Sequence, residues 1–180
     1  MINKAIHYAV DAHAGQFRKG TKTPFIVHPM EVGVIVSQMT SDEEIISAAF
    51  LHDTVEDCPQ VTIEDIRREF GDRVASMVDN ESEDKSKTWM ERKSHTIAHL
   101  KEEASMEVRM IAMGDKLANI RALVRDYKMV GEELWNRFNM KDPKMQGWYY
   151  RSIVDSLSSM KEYPAYQEYT QLVYELFGTE

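Results

Sequence analysis

Apolar residues recur at three- and four-residue intervals along almost the whole chain, and no alternating pattern competes over more than a few residues. That period restricts the chain to helices packed on helices, so the expected fold class is all-α. Ile2, Ala5, Ile6, Ala9 and Val10 form one stripe. Pro29 suits the first position of a helix that Val32, Ile35, Val36 and Met39 continue. Ser41-Asp42-Glu43-Glu44 has the form of a capping box at the start of the next helix. Thr62 is placed to cap another, with Ile63, Ile66 and Phe70 on its apolar face and Gly71 at its end. Asp72 to Val78, Thr88 to about Lys101, and Met106 to Arg125 also read as helices. Asp142-Pro143 and Tyr163-Pro164 open the last two, and the polar stretch from Asn80 to Lys87 reads as a loop. At 180 residues a single domain over 1–180 is expected, with a motif-bearing core at about 5–125 and C-terminal helices over 130–178.

The net charge of -8 argues against a general binder of nucleic-acid polymers or of anionic membranes, since both need a basic surface. A local basic pocket for a small anion remains compatible with it. One cysteine, Cys58, leaves no intrachain disulfide framework. The first residues turn polar too soon for a signal peptide, and no apolar run reaches the roughly 20 residues that span a bilayer. A cytoplasmic location is the expectation; the oligomeric state is not legible.

Chemistry concentrates in His52-Asp53-Thr54-Val55-Glu56-Asp57, at the end of the apolar run Ile45 to Leu51. On one continuous helix, Asp53 would lie beside Glu56 and Asp57, and His52 beside Glu56. Carboxylates this close to a core are costly unless a cation compensates them. His28, ahead of a Pro, and Asp115, inside an otherwise apolar helix, are placed to complete a metal site. Two imidazoles and two carboxylates suit manganese, iron or zinc better than calcium, which prefers oxygen alone.

Four blocks occur in order: His13-x-Gly15-Gln16-x-Arg18-Lys19, Pro24-Phe25-Ile26-Val27-His28-Pro29, His52-Asp53-x-x-Glu56-Asp57 and Gly114-Asp115-Lys116-Leu117-Ala118-Asn119. Together they resemble the hydrolase domain of the RelA/SpoT family, a branch of the HD superfamily of metal-dependent phosphohydrolases. The likeness is strongest to its small stand-alone alarmone hydrolases and runs from about Ala5 to Arg125.

The resemblance implies that His28, His52, Asp53 and Asp115 bind one metal, usually manganese, with iron or zinc as alternatives. It implies that Glu56 and Asp57 serve the chemistry, removal of the 3′-pyrophosphate from ppGpp and pppGpp. Either carboxylate can orient a water and take its proton, and the sequence does not choose between them. Arg18 and Lys19 match family residues that pack on the guanine and contact phosphates. Asn119 resembles an asparagine that contacts the ribose. Of the basic group Lys85, Lys87, Arg92 and Lys93, Lys93 is the closest match for the distal phosphates. Arg121 and Arg125 are spaced for ion pairs along their helix.

Two places depart from the family pattern, Asp79-Asn80-Glu81-Ser82 and Ala122, and both bear on base selectivity more than on the metal. The rival readings are a phosphohydrolase of another nucleotide (an adenosine alarmone, a deoxynucleotide or NADPH) and a non-catalytic alarmone-binding module. Trp89, Trp135, Trp148 and the tyrosines read as packing residues, His95 and His99 as surface residues, and Cys58 as an unreactive thiol beside acidic neighbours.

Overall fold

The computed structural model describes residues 1–81 and 84–179. Among them every regular element is helical, and extended pairing is confined to one antiparallel bridge between Phe17 and Pro24. No helix of the described residues is long and apolar enough to cross a membrane. The residues group into two compact units. One takes in the described residues up to Glu81 together with Ser105–Asp115; the other takes in Asp84–Ala104 and the chain from Lys116 onward.

The first unit is built on helices α1 (Ile2–Ala12), α2 (Val27–Ser37), α3 (Glu43–Leu51), α4 (Thr54–Asp57), α5 (Ile63–Phe70), α6 (Asp72–Glu81) and the beginning of α8 (Met106–Val130). Its centre is α3, against which α1, α2 and α6 pack. Every residue from Ile45 to Leu51 is buried, so α3 has no solvent face over that run. Each large apolar side chain buried there contributes roughly 1.5–3 kcal/mol. Glycine lets these helices approach closely. A Cβ on Gly33 of α2 would overlap the ring of Phe50, and one on Gly114 of α8 would sit 2.8 Å from Val36 Cγ2. Arg73 ties the outside of the unit together, donating to Glu44, Asp42 and Glu107 at 2.6, 2.8 and 2.6 Å.

In the second unit, α9 (Pro143–Ser156) packs against α7 (Trp89–Glu102) and α10 (Pro164–Phe177). Tyr149, Tyr150, Ile153, Val154, Tyr169 and Val173 form its core. Two buried or half-buried tyrosines satisfy their hydroxyls on backbone carbonyls, Tyr169 on Tyr150 and Tyr166 on Val154, both at 3.0 Å. Arg121 of α8 grips Glu168 of α10 through two bonds of 2.7 Å, an ion pair from one helix to another. Trp135 is buried, while Trp89 and Trp148 are half-buried against each other.

Local signals placed most boundaries. Thr62 and Thr88 form reciprocal capping boxes with Asp65 and Glu91, Asp142 caps α9 with Pro143 at its first position, and Gly71 ends α5 with φ 93°. The differences are physical. α2 begins at Val27, before Pro29, because Val27 and His28 already donate to Pro24 and Phe25 carbonyls. α3 has a single cap, Asp42 accepting from Glu44 N–H, without the reciprocal half of a box. α8 runs on to Val130, and α6 to Glu81, past the expected start of the loop at Asn80. Ser82, part of that loop, lies outside the described residues. Along α1 the buried face is Ala5, Ala9 and Ala12, while Val10 is exposed.

Candidate metal centre

The continuous helix expected through His52 and Asp57 is broken in two. α3 ends at Leu51, with His52 as its C-cap; Asp53 is the N-cap of the four-residue α4. Thr54 Oγ donates to Leu51 O at 2.7 Å and holds the junction. His52 and Asp53 stand at this junction, within reach of His28 of α2 and Asp115 of α8.

His28 comes from the first turn of α2 and Asp115 from α8, one residue beyond the Gly114 contact. His28, His52 and Asp115 are buried, and Asp53 is half-buried. His28 Nε2 lies 3.1 Å from Asp115 Oδ1 and 3.5 Å from Asp53 Oδ2. His52 Nε2 lies 3.2 Å from Asp53 Oδ2 and 3.8 Å from Asp115 Oδ1. Ligand atoms of His28, His52 and Asp53 all fall within 4.8 Å of one another.

The tautomer of His52 is set by its backbone. Its Nδ1 lies 2.8 Å from Ala49 O, which only accepts, so Nδ1 carries the proton and donates. Nε2 is then left buried with no hydrogen-bond partner of acceptable geometry, although Asp53 Oδ2 is near. A carbonyl behind the ring and a free nitrogen in front is the arrangement that orients metal-binding histidines.

Electrostatics agree with the geometry. Burial pushes the His52 pKa down, but the charge and hydrogen-bonding reach of Asp53, with Asp115 and the Ala49 carbonyl, outweigh it and raise it to about 9. Burial pushes Asp53 up, and His52 and His28 outweigh it, holding Asp53 down at about 2. The site therefore stabilises positive charge. Two carboxylates and two imidazoles form a mixed nitrogen–oxygen donor set that can take a divalent cation in place of the His52 proton, so the residues fit such an ion.

Glu56 and Asp57 are half-buried on α4. The Arg18 guanidinium lies 5.6 Å from the centre of the Phe25 ring, and Lys19 is exposed. Lys93 and Asn119 belong to the second unit, where both are half-buried and the Lys93 ammonium stacks 4.9 Å from the Tyr149 ring. Cys58 is fully buried, and burial first, then Asp57 and Asp53, pushes its thiol up. His95 is exposed; His99 is half-buried and 3.3 Å from Glu103. His13 and Gln16, which carry no expected role, sit against Cys58 and Asp57. The only sign of them was their place in the first motif block.

A family model described as HD domain matches residues 5–141. The chain is 38% identical over 128 residues to guanosine-3′,5′-bis(diphosphate) 3′-pyrophosphohydrolase MESH1 of Xenopus tropicalis, covering 69% of this chain and 70% of that one. Among solved structures, a metazoan ortholog of SpoT, described as hydrolysing ppGpp, superposes with a TM-score of 0.80 at 26% identity, over 99% of this chain and 96% of its own. The Listeria monocytogenes protein lmo0812 superposes with a TM-score of 0.76 at 32% identity, over 83% and 98%.

Proposed function

Because this chain belongs to the HD-domain family, and within it to the group of the guanosine-bis(diphosphate) 3′-pyrophosphohydrolases, we propose that it hydrolyses ppGpp and pppGpp to GDP or GTP and pyrophosphate. The observation that carries the reading is the convergence of His28, His52, Asp53 and Asp115, next to the carboxylates of α4, on a chain so similar to a named enzyme of that activity.

In this reading His28, His52, Asp53 and Asp115 hold one divalent ion, manganese first, with iron or zinc as alternatives. A cation there acidifies water and polarises a phosphoryl oxygen. Glu56 and Asp57 do the proton work. A carboxylate of α4 accepts a proton from the attacking water as its oxygen adds to the phosphorus attached to O3′. The P–O3′ bond then breaks and O3′ takes up a proton, leaving pyrophosphate and a free 3′-hydroxyl. Arg18, presented over the Phe25 ring, supplies a planar cation that can stack on a purine while donating to phosphate oxygens. Lys19 adds charge at the same loop, and Asn119 and Lys93 are assigned to ribose and distal phosphate.

The test is turnover of ppGpp by chelator-stripped protein, with and without added manganese, and separation of the products. GDP and pyrophosphate appearing only with the ion are expected. Intact ppGpp in metal-loaded protein would remove the alarmone reading, and a panel of other nucleotides would then identify the substrate.

A further inference from the structure

α4 is a single turn of four residues, far too short to hold itself in place. Its positioning must come from outside. Asp57 N–H donates to Asp53 O at 2.9 Å, which ties one side of the residue to the metal centre. Asp57 O accepts from Gln16 Nε2 at 2.9 Å, across 41 residues of sequence. Both backbone groups of Asp57 are thus held, one by Asp53 and one by Gln16.

The orientation of Gln16 is set in turn. A carbonyl only accepts, so the amide must present its NH2 to Asp57 and its oxygen to the other side. There Gln16 Oε1 meets His13 Nδ1 at 2.8 Å, and an acceptor at that distance requires Nδ1 to carry the proton. His13 is 2% exposed, packed 4.8 Å from the Phe25 ring, with its Nε2 buried and unpartnered. Cys58 Sγ, 3.4 Å from His13 Nδ1 and 3.7 Å from Gln16 Nε2, closes the group. Gln60 Nε2 adds a second strap, donating to Ala12 O at 2.9 Å.

We propose that His13 and Gln16 are positioning residues: they lock the C-terminal end of α4 through the Asp57 carbonyl and so aim the Asp57 side chain for proton transfer. The proposal rests on the reading that Asp57 serves the hydrolysis. Its chemistry is a relay of fixed dipoles, His13 N–H to Gln16 amide to Asp57 carbonyl, with no proton transferred. Without the Nδ1 donor the amide is free to turn over, and the turn loses its outer anchor. A displacement of about 1 Å at a reacting group can cost roughly 100-fold in rate.

The experiment uses the full chain loaded with manganese, measuring kcat, KM for ppGpp, metal content and Tm. Gln16→Met keeps the length and removes the donor; His13→Leu removes the relay; His13→Asn restores an N–H near the Nδ1 position. Expected are kcat losses of roughly 10- to 100-fold for Gln16→Met and His13→Leu at unchanged KM and metal content, with most of the rate restored in His13→Asn. Gln16 is half-buried, so its variant decides alone if His13→Leu does not fold. Gln16→Met should also add little to the loss already caused by Asp57→Asn, since both act through one group. A parental kcat in Gln16→Met overturns the proposal, as does a loss that tracks metal content, or full additivity with Asp57→Asn. A parental rate in Asp57→Asn removes the assignment of Asp57 and the proposal with it, whereas absent turnover in the parent protein removes the proposed function first.

Discussion

The Nδ1 of His52 sits 2.8 Å from the carbonyl oxygen of Ala49, on the preceding turn of α3. That contact commits the imidazole before any cation arrives. Nδ1–H is used on the helix, and Nε2, the nitrogen that a cation would have to deprotonate, points into the space shared with His28, Asp53 and Asp115. His52→Ala should therefore remove more than a donor, because the helix end loses the ring that plugs it. We expect at least a tenfold loss of metal affinity, read by metal analysis after dialysis against a weak chelator. Retained stoichiometric metal would exclude His52 from the ligand set.

Metal binding and proton transfer should separate by mutation. Asp53→Ala is expected to lose both metal and turnover. Glu56→Ala is expected to keep its metal and lose rate, by roughly 100- to 10,000-fold if it is the proton acceptor. Comparing Glu56→Gln with Asp57→Asn identifies which carboxylate dominates. Equal metal content and equal activity in the Asp53 and Glu56 variants would sink the assignment of both.

The chelated protein should be less stable at alkaline pH. His52 titrates near 9 in the folded chain against an ordinary value of 6.5. A raised folded pKa gives stability that is complete below about 6.5 and lost as pH climbs through about 9. The loss is on the order of a few kcal/mol at most. Asp53 sets the acid side of the same interaction: held at about 2 against 3.8, it stabilises the fold above 3.8 and ceases to do so as pH falls through about 2. Urea unfolding in chelator from pH 5.5 to 9.5 reads the alkaline limb. Added metal should reverse the trend, since protons compete with the ion for the same donors. A flat chelated profile would show that His52 carries no proton there.

Gly33→Ala should destabilise the protein even though alanine is the better helix former. The propensity gain is roughly 1 kcal/mol. Against it stands a methyl group forced into the Phe50 ring, an overpacking cost of typically 1–3 kcal/mol, and the ring is fully packed and cannot yield freely. A lower Tm together with weakened metal binding is expected, because α2 carries His28 and α3 leads to His52. An unchanged Tm would mean that Phe50 repacks without cost.

The helical composition of the chain was open to reading at the outset, since helix periodicity and caps are local. Thr62, Thr88 and Asp142 each act on a backbone N–H two or three residues away, so their spacing in sequence is their spacing in space. The identities of the donors were legible for the same reason: an imidazole and a carboxylate next to an apolar run are conspicuous wherever the run packs. Less was legible at the junction of α3 and α4. Helical spacing alone continues through His52, whereas a Thr54 hydroxyl bonded to Leu51 O accompanies a break that periodicity does not register.

Sequence by itself thus determined the all-helical character of the chain, the caps at Thr62, Thr88 and Asp142, and which side chains are chemically suited to a divalent ion. Tertiary structure alone decided that His28, His52, Asp53 and Asp115 meet, that Nε2 of His52 is the free nitrogen, and that Gln16 reaches the Asp57 carbonyl. The reason is one of dimension. A repeat along the chain reports which face of a helix is apolar, but the distance between two helices is set by what fills the gap. Here that gap is closed by two glycines, Gly33 and Gly114, whose missing side chains bring α2 against α3 and α8.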